Sequence, residues 1–184
     1  NINANVYSNW FRNKIEGMWS NDQTELHYIN IGKSRLAGVE TMCKIQINRH
    51  INVHGAYNYL YTSKDADGVR LSSSSPHSGN IRAEYNTRIP RYATVVNLSG
   101  NIMGKKKFDV LDELEIDGKK VEAYYQAKVN PYCLWDLTVS QYIMQNLRIT
   151  AGITNLFDYT SDRVTFNTST SPGRNYFIAC NYTL

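Results

Sequence analysis

The feature that most constrains this chain is a run of alternating apolar and polar residues at positions 147–154. Leucine, isoleucine, alanine and isoleucine occupy the odd positions, and Arg148, Thr150 and Thr154 stand on the even ones. A period of two over this length is that of a β-strand with one apolar and one polar face. The alternation breaks at Asn-Leu-Phe-Asp, residues 155–158. Since a soluble sheet produces the same pattern, the question is whether the apolar face contacts a protein core or lipid.

The same alternation recurs along the chain and predicts about eight strands. They fall at residues 3–16, 25–48, 51–61, 79–89, 92–102, 133–143, 147–158 and 176–184. Most hold about ten alternating residues, close to the ~9–11 that a tilted strand needs to cross a bilayer. The alternation changes phase near Gly32 and Gly38, where we expect β-bulges.

The connections between these strands alternate in length. Short turns are predicted at 49–50, 90–91 and 144–146, and long loops at 64–77, 104–131 and 159–173, with a short loop at 19–24. The segment 104–131 is expected to be the longest irregular part. Outer-membrane barrels sort short periplasmic turns from long extracellular loops in this way, whereas a soluble sandwich has no reason to and favours strands of ~5–6 residues. The predicted fold class is therefore all-β, with antiparallel up-and-down transmembrane β-barrel strands.

Composition narrows the function classes. The chain has 14 Tyr and only 4 Pro, which favours strands and turns over helices. Its net charge of +4 comes from scattered basic residues, so we expect no nucleic-acid partner. Cys43, Cys133 and Cys180 are too dispersed for a disulfide framework or a zinc site. All three fall on the predicted apolar face, where they would act as small hydrophobes.

Several segments, in their order along the chain, resemble the C-terminal part of a TonB-dependent outer-membrane receptor. They are residues 6–15, Tyr-Ile-Asn-Ile-Gly-Lys-Ser-Arg-Leu-Ala-Gly-Val-Glu at 28–40, Ser-Pro-His-Ser at 75–78, Leu-Trp-Asp-Leu at 134–137, Gly-Ile-Thr-Asn-Leu-Phe-Asp at 152–158 and Gly-Arg-Asn-Tyr-Phe at 173–177. The second is similar to the family pattern Tyr-x-Asn-x-Gly-x-x-x-x-x-Gly-x-Glu. Each segment alone is weakly specific, but the ordered set covers essentially the whole chain. Leu184 departs from the Phe with which the family often ends.

The resemblance implies a 22-stranded barrel in the outer membrane of a Gram-negative bacterium. Residues 1–184 would be its C-terminal β-barrel segment, and the plug domain and earlier strands would be absent from this sequence. The implied function is uptake of a scarce ligand, such as an iron chelate, haem, cobalamin or a glycan, with energy from TonB. The implied partners are outer-membrane lipid and lipopolysaccharide, the remainder of the barrel with its plug, TonB through the absent N-terminal part, and the small-molecule ligand. No enzyme activity and no cofactor are expected.

The candidates for ligand binding are Lys105, Lys106 and Lys107, which open the longest predicted loop. A basic run would attract an anionic ligand or lipopolysaccharide phosphates, although solubility is the simpler explanation. Trp135 and the tyrosines at 57, 59 and 61 are predicted membrane anchors.

No catalytic constellation or metal site is predicted. Asp136 and Asp158 have no histidine at a suitable spacing, and the serines at 72–75 are interpreted as loop residues. The four histidines, His27, His50, His54 and His77, are dispersed, with His54 predicted on the polar, lumen-facing side and His77 at a loop edge.

Three other interpretations remain open on the sequence. A small eight-stranded outer-membrane barrel with a structural or adhesive role would have the even strand number that closure requires. An outer-membrane enzyme of barrel fold would need a catalytic cluster that the sequence does not offer. A soluble β-protein would place the apolar face against a core.

Overall fold

The computed structural model describes residues 1–20, 25–64, 75–116, 119–144, 146–161 and 173–183. They form ten β-strands: β1 (Ile2–Trp19), β2 (Leu26–Gln46), β3 (Ile51–Thr62), β4 (His77–Asn86), β5 (Thr94–Met103), β6 (Lys106–Ile116), β7 (Lys119–Val129), β8 (Tyr132–Ile143), β9 (Leu147–Thr154) and β10 (Asn175–Tyr182). Within these ranges there is no helix long and apolar enough to cross a membrane.

Eight of the strands make one antiparallel sheet in the order β1-β2-β3-β4-β5-β8-β9-β10. Each strand lies beside its neighbour along the chain, except that β5 is followed in the sheet by β8. The predicted all-β, up-and-down arrangement of about eight strands is confirmed. The sheet is open, with β1 and β10 at opposite edges.

The prediction that residues 104–131 are irregular is wrong. β6 and β7 form a separate two-stranded sheet whose pairing runs from Lys106 opposite Val129 to Ile116 opposite Lys119. The sequence carries the signal for this hairpin, because Asp-Gly at 117–118 stands between two alternating runs. The tip, 117–118, lies outside the described residues.

Several predicted strand ends also need correction. β1 continues to Trp19, beyond the predicted end at residue 16. β4 ends at Asn86 and β5 begins at Thr94, so the short turn is the seven-residue segment 87–93. Positive φ angles of 53° at Arg88 and 68° at Arg91 end the extended conformation there.

The predicted bulges at Gly32 and Gly38 are not present as register shifts. β1 pairs Arg12 with Lys33 and Lys14 with Ile31, so no residue is inserted opposite Gly32. The irregularity is on the partner strand, where Asn13 has a φ of 53° and makes no ladder pair with Gly32.

The predicted long loops extend partly beyond what the structure describes. The loops at 64–77 and 159–173 include 65–74 and 162–172, the short loop at 19–24 includes 21–24, and the turn at 144–146 includes Gln145; these positions, like Leu184, are outside the described residues. The connections nevertheless lie at two ends. We name the end with connections 63–76, 104–131 and 155–174 the loop end, and the end with connections 47–50, 87–93 and 144–146 the turn end.

The described part of the chain buries almost no hydrophobic core. The accessible surface of the whole chain is 12324 Å², against about 9,000 Å² for a compact monomer of this mass. Val129 is the sole buried hydrophobic side chain among the described residues. The apolar face is instead exposed, as at Ile2 (78%), Val6 (76%) and Ile178 (79%). An exposed apolar face this extensive is typical of an interaction surface.

Candidate functional site

The polar face of the sheet is organised in rows of paired residues that run across β2, β3, β4, β5 and β8. The row nearest the loop end is Glu40, Asn58, Ser78, Met103 and Tyr132. The next row toward the turn end is Met42, Ala56, Asn80, Asn101 and Leu134. Because residues paired in register and residues two apart share a face, these ten side chains form one continuous surface.

These two rows line a cleft with a volume of about 620 Å³. Its wall combines the amide groups of Asn58, Asn80 and Asn101 with the hydroxyls of Ser78 and Tyr132. The volume falls in the ~300–1,000 Å³ range of small-molecule sites. Asn58 Oδ1 is buried there without a hydrogen-bond partner. An unsatisfied acceptor of this kind favours a ligand or water that donates a hydrogen bond to it.

The third and fourth rows carry charge. The third is Lys44, His54, Arg82, Ser99 and Asp136, and the fourth is Gln46, Asn52, Glu84, Asn97 and Thr138. Arg82 donates to Asn97 Oδ1 through Nε at 3.2 Å and a terminal nitrogen at 2.8 Å, and lies 3.5 Å from Glu84 Oε2. Arg82 and Asn97 border a second concavity of about 410 Å³. The two charged rows can therefore form hydrogen bonds across five strands with a polar partner on that side.

An aromatic pair marks the loop end of the polar face. Tyr132, the first residue of β8, stacks on Tyr159 with ring centroids 4.9 Å apart and an interplanar angle of 10°. No local pattern in the sequence marks this pair, since the two tyrosines are separated by a strand, a turn and another strand. Stacked rings of this kind present a flat apolar surface with hydroxyl groups at its edge.

The residues at 155–158, where the alternation breaks, form an ordered turn that joins three strands. The amide of Asn155 donates to Asp136 Oδ1 at 2.9 Å, and the amide of Asp158 donates to the Asn155 carbonyl at 2.9 Å. Asp158 Oδ1 then accepts from the backbone amide of Arg174, 2.8 Å away and just before β10. The carboxylates of Asp136 and Asp158 thus accept hydrogen bonds from backbone amides at the loop end.

Lys105, Lys106 and Lys107 lie at the base of the β6–β7 hairpin. Lys105 and Lys107 are exposed, while Lys106 is half-buried. Loss of hydration by burial lowers the pKa of Lys106. None of the three lysines borders either concavity.

The histidines are placed apart. His27 lies 3.3 Å from Glu25, and His50 Nδ1 lies 2.7 Å from the Asn86 carbonyl at the turn end. His54 is paired with Lys44 and Arg82 on the polar face. His77 is the first residue of β4 and lies on the apolar face beside Tyr57 and Tyr59. In the described part of the chain no three His, Cys, Asp or Glu side chains form a metal-binding group.

The apolar face carries the predicted cysteines and aromatic residues. Register pairs Cys43 with Gly55, Cys133 with Ile102 and Cys180 with Ile149, all on this face as predicted. Trp135 covers Gly100, where an added Cβ would lie 2.9 Å from the indole ring. Tyr57, Tyr59 and Tyr61 are 46%, 38% and 48% exposed. A membrane-anchoring role for these aromatic residues stays a prediction.

Gln141 breaks the apolar pattern of β8, and the structure explains why. Its Oε1 accepts from Thr94 Oγ1 at 2.7 Å, and its Nε2 donates to the carbonyls of Tyr92 and Ala93 at 3.2 and 3.4 Å. The Gln141 side chain therefore joins β8 to the residues that lie just before β5, where the Ala93 carbonyl also accepts from the Tyr142 amide at 2.8 Å.

Three solved structures share this fold. The siderophore receptor PirA from Acinetobacter baumannii matches with a TM-score of 0.70 and 17% identity over 98% of this chain and 29% of that one. The ferripyoverdine receptor of the outer membrane of Pseudomonas aeruginosa matches with a TM-score of 0.69 and 17% identity over 98% and 25%. The ferric enterobactin receptor PfeA, in complex with BCV-L6, matches with a TM-score of 0.68 and 17% identity over 98% and 29%.

This chain spans less than a third of the length of each of these receptors. At 17% identity the likeness shows the fold, in which the sheet corresponds to part of a barrel wall. Family membership comes from the sequence itself, because residues 1–156 match the family described as TonB dependent receptor-like, beta-barrel. The chain belongs to the β-barrel family of TonB-dependent receptors.

Proposed function

We propose that this chain is the C-terminal wall of a TonB-dependent receptor in the outer membrane of a Gram-negative bacterium, and that the receptor takes up an iron chelate. The family consists of transport receptors. The structures described above are those of a siderophore receptor, a ferric enterobactin receptor and a ferripyoverdine receptor. They favour an iron chelate over the haem, cobalamin and glycan that the sequence resemblance also allows.

The observation that carries this proposal is the cleft at the loop end of the polar face. Three asparagines, a serine and Tyr132 converge there on a space of about 620 Å³. Amide and hydroxyl groups suit a ligand rich in oxygen atoms, because each can donate or accept a hydrogen bond. The cleft also lies on the face opposite the exposed apolar residues. A receptor wall needs this division, with lipid on one side and ligand on the other.

The proposal also includes the remainder of the barrel and the plug, which would contact the open edges and the polar face of this sheet. β1 and β10 are the edges of the open sheet, and long unpaired edges promote uncontrolled association. In the full receptor, further strands would pair with these edges, and the plug would contact the charged rows nearer the turn end. The alternative of a closed eight-stranded barrel receives no support, because the described parts of β1 and β10 do not pair with each other.

The test is growth rescue with the full receptor that carries this segment. A Gram-negative host that lacks its own siderophore synthesis and chelate receptors would express it in iron-limited medium. Separate cultures would receive a ferric catecholate, a ferric hydroxamate, haem or cobalamin, each in hosts with and without TonB. We expect TonB-dependent growth on one ferric chelate.

The outcomes separate the parts of the proposal. Rescue by haem or cobalamin alone would overturn the ligand class while leaving the receptor assignment in place. Uptake that is unchanged without TonB would overturn the energised mechanism. Surface display of the receptor, measured by labelling intact cells, is the control for expression.

A further inference from the structure

An arginine stands on the apolar face of the sheet, where its charge is unexpected. Arg35 pairs with Trp10 across β1 and β2. Its guanidinium carbon lies 5.1 Å from the centre of the Trp10 ring, and its Nε donates to Ser8 Oγ at 2.9 Å. The indole and the hydroxyl thus hold the guanidinium in one orientation. Trp10 itself is 71% exposed, so the pair stands at the surface.

In the described part of the chain, Ser8 is the hydrogen-bond partner of the Arg35 side chain, through Nε, and the terminal nitrogens face outward. Among the residues that the structure describes, no carboxylate lies within ion-pair distance of them and no acceptor receives a hydrogen bond from them. A charged side chain that faces a membrane is unfavourable unless it reaches the polar interface or finds a counter-charge. The planar guanidinium is the side chain best suited to bind a phosphate through two parallel hydrogen bonds.

Position along the strand places Arg35 at the height of lipid headgroups. β3 ends at Thr62, and the amide of Ser63 donates to the Arg35 carbonyl at 2.8 Å, so Arg35 lies where the pairing of β2 with β3 ends, while β1 and β2 extend further toward the loop end. Ile45, exposed near the turn end, is ten residues away on β2. Ten residues extend about 34 Å along a strand and rise about 26 Å at a tilt of about 40°, close to the ~25 Å apolar band of an outer-membrane barrel.

A second polar group lies on the apolar face two strands further along the sheet, where His77 is in register with Val39, four residues from Arg35 on β2. His77 Nδ1 lies 2.7 Å from the Tyr57 hydroxyl, and the His77 ring centre is 5.2 Å from that of Tyr59. Tyr59 pairs with both Val39 and His77, so these rings share the apolar face with Arg35. Hydroxyl and imidazole groups beside aromatic rings suit a sugar headgroup whose acyl chains lie against the face below.

We propose that Arg35, fixed by Trp10 and Ser8, binds a phosphate of a phosphorylated glycolipid in the outer leaflet, with His77 and its two tyrosines beside the sugar. The occupant is a lipid because the site opens from the apolar face and not from the polar cleft. Charge complementarity selects an anionic headgroup. The inference rests on the proposed outer-membrane location and does not depend on which ligand the receptor transports.

The test is native mass spectrometry of the full receptor in detergent, titrated with hexa-acylated lipid A that carries two phosphates. The same lipid without phosphates is the second probe. We expect the phosphorylated lipid to bind in preference, and Arg35→Gln to weaken its binding about tenfold, the effect of removing a charge-assisted hydrogen-bonded contact. Arg35→Lys would retain part of the affinity, since the ammonium keeps the charge without the planar pair of donors.

Arg148→Gln is the matched control, because Arg148 lies on the polar face near the turn end, beside Tyr142. It should leave lipid binding unchanged. Equal binding of lipid A with and without phosphates by the unaltered receptor would overturn the proposal. This comparison needs no variant, so it does not depend on whether a variant folds. An equal loss in Arg148→Gln and Arg35→Gln would overturn it as well. Neither result bears on TonB-dependent uptake, so failure here is distinct from failure of the proposed function.

Discussion

Asp136 on β8 accepts a hydrogen bond from the backbone amide of Asn155, with 2.9 Å between Asp136 Oδ1 and the nitrogen. Asn155 is 4% exposed and has a φ of 52°, a left-handed conformation that Asn adopts more easily than most residues. Its side chain accepts from the Tyr159 amide and donates to the Tyr159 carbonyl, both at 2.8 Å. One residue thus fixes the chain between β9 and the loop that follows.

Asn155→Ala should destabilise the receptor by about 2–4 kcal/mol, because it removes two buried hydrogen bonds and strains a left-handed backbone. Asn155→Gly should cost only about 1–2 kcal/mol, since glycine adopts this φ freely. Guanidinium unfolding of the full receptor in detergent, followed by tryptophan fluorescence, measures both. Equal losses for the two variants would show that backbone conformation contributes nothing at this position.

Gly38 is required by the close approach of β3. A Cβ at Gly38 would lie 2.6 Å from the backbone oxygen of Tyr59 and 2.4 Å from the Tyr7 hydroxyl. Gly38→Ala should therefore lower the free energy of unfolding by about 1–3 kcal/mol, the usual effect of overpacking. Gly55 is the matched control on the next strand, because the nearest atom to its Cβ is the Asn80 carbonyl oxygen at 4.0 Å. The same unfolding assay should find Gly55→Ala within experimental error of the unaltered receptor.

Much of the fold follows from alternation, because each strand has one apolar face and one polar face, and the residue types along the sequence show this period directly. The positions of Ile149 and Ile153 show this in β9. Alternation does not report where strands end. The segment between β4 and β5 has positive φ angles at Arg88 and Arg91. Arginine does not favour this conformation, so the residue type does not predict that the strands end there. The alternation in β6 is less regular than in the other strands, because acidic residues between 109 and 117 interrupt it, so the Asp-Gly turn is the clearer signal for this hairpin.

The candidate site was much less predictable than the fold. The cleft forms from Glu40, Asn58, Asn101 and Tyr132, which belong to four strands and converge only through register. Register depends on the pairing of whole strands, so no local pattern marks these residues. The lysines at 105–107 were conspicuous as a local run, yet they do not border the cleft.

Gln141 and Thr94 offer a direct measure of polar coupling between β8 and β5. In a double-mutant cycle with Gln141→Leu and Thr94→Val, we expect a coupling free energy of about 0.5–1.5 kcal/mol, the net value of a hydrogen bond. The cycle is needed because leucine at position 141 would also gain favourable apolar contacts. The stability change of the single variant Gln141→Leu would contain this gain as well as the loss of the hydrogen bond. Gln46→Leu, on the polar face at the end of β2, combined with Thr94→Val, is the control pair and should show no coupling. Coupling of equal size in both cycles would contradict a specific contact.

Substitutions of Tyr132 and Tyr142 test whether the loop end of the polar face contacts the ligand. Both residues lie on β8 and on the same face, ten positions apart. Tyr132 borders the cleft and stacks on Tyr159, while Tyr142 lies near the turn end, with its ring centre 6.0 Å from the Arg148 guanidinium. In the growth assay, Tyr132→Ala should raise the chelate concentration needed for half-maximal growth by up to about tenfold, since a stacked aromatic contact contributes about 0.5–1.5 kcal/mol beyond the area it buries.

Tyr142→Ala removes the same side chain from the same strand face and should leave that concentration unchanged. Tyr132→Phe separates the ring from the hydroxyl, and we expect it to retain most of the affinity if stacking dominates. Binding of the ferric chelate to the purified receptor, measured by quenching of tryptophan fluorescence, should show the same order as growth. A larger defect in Tyr142→Ala than in Tyr132→Ala would place the ligand contact at the turn end, contrary to the cleft described above.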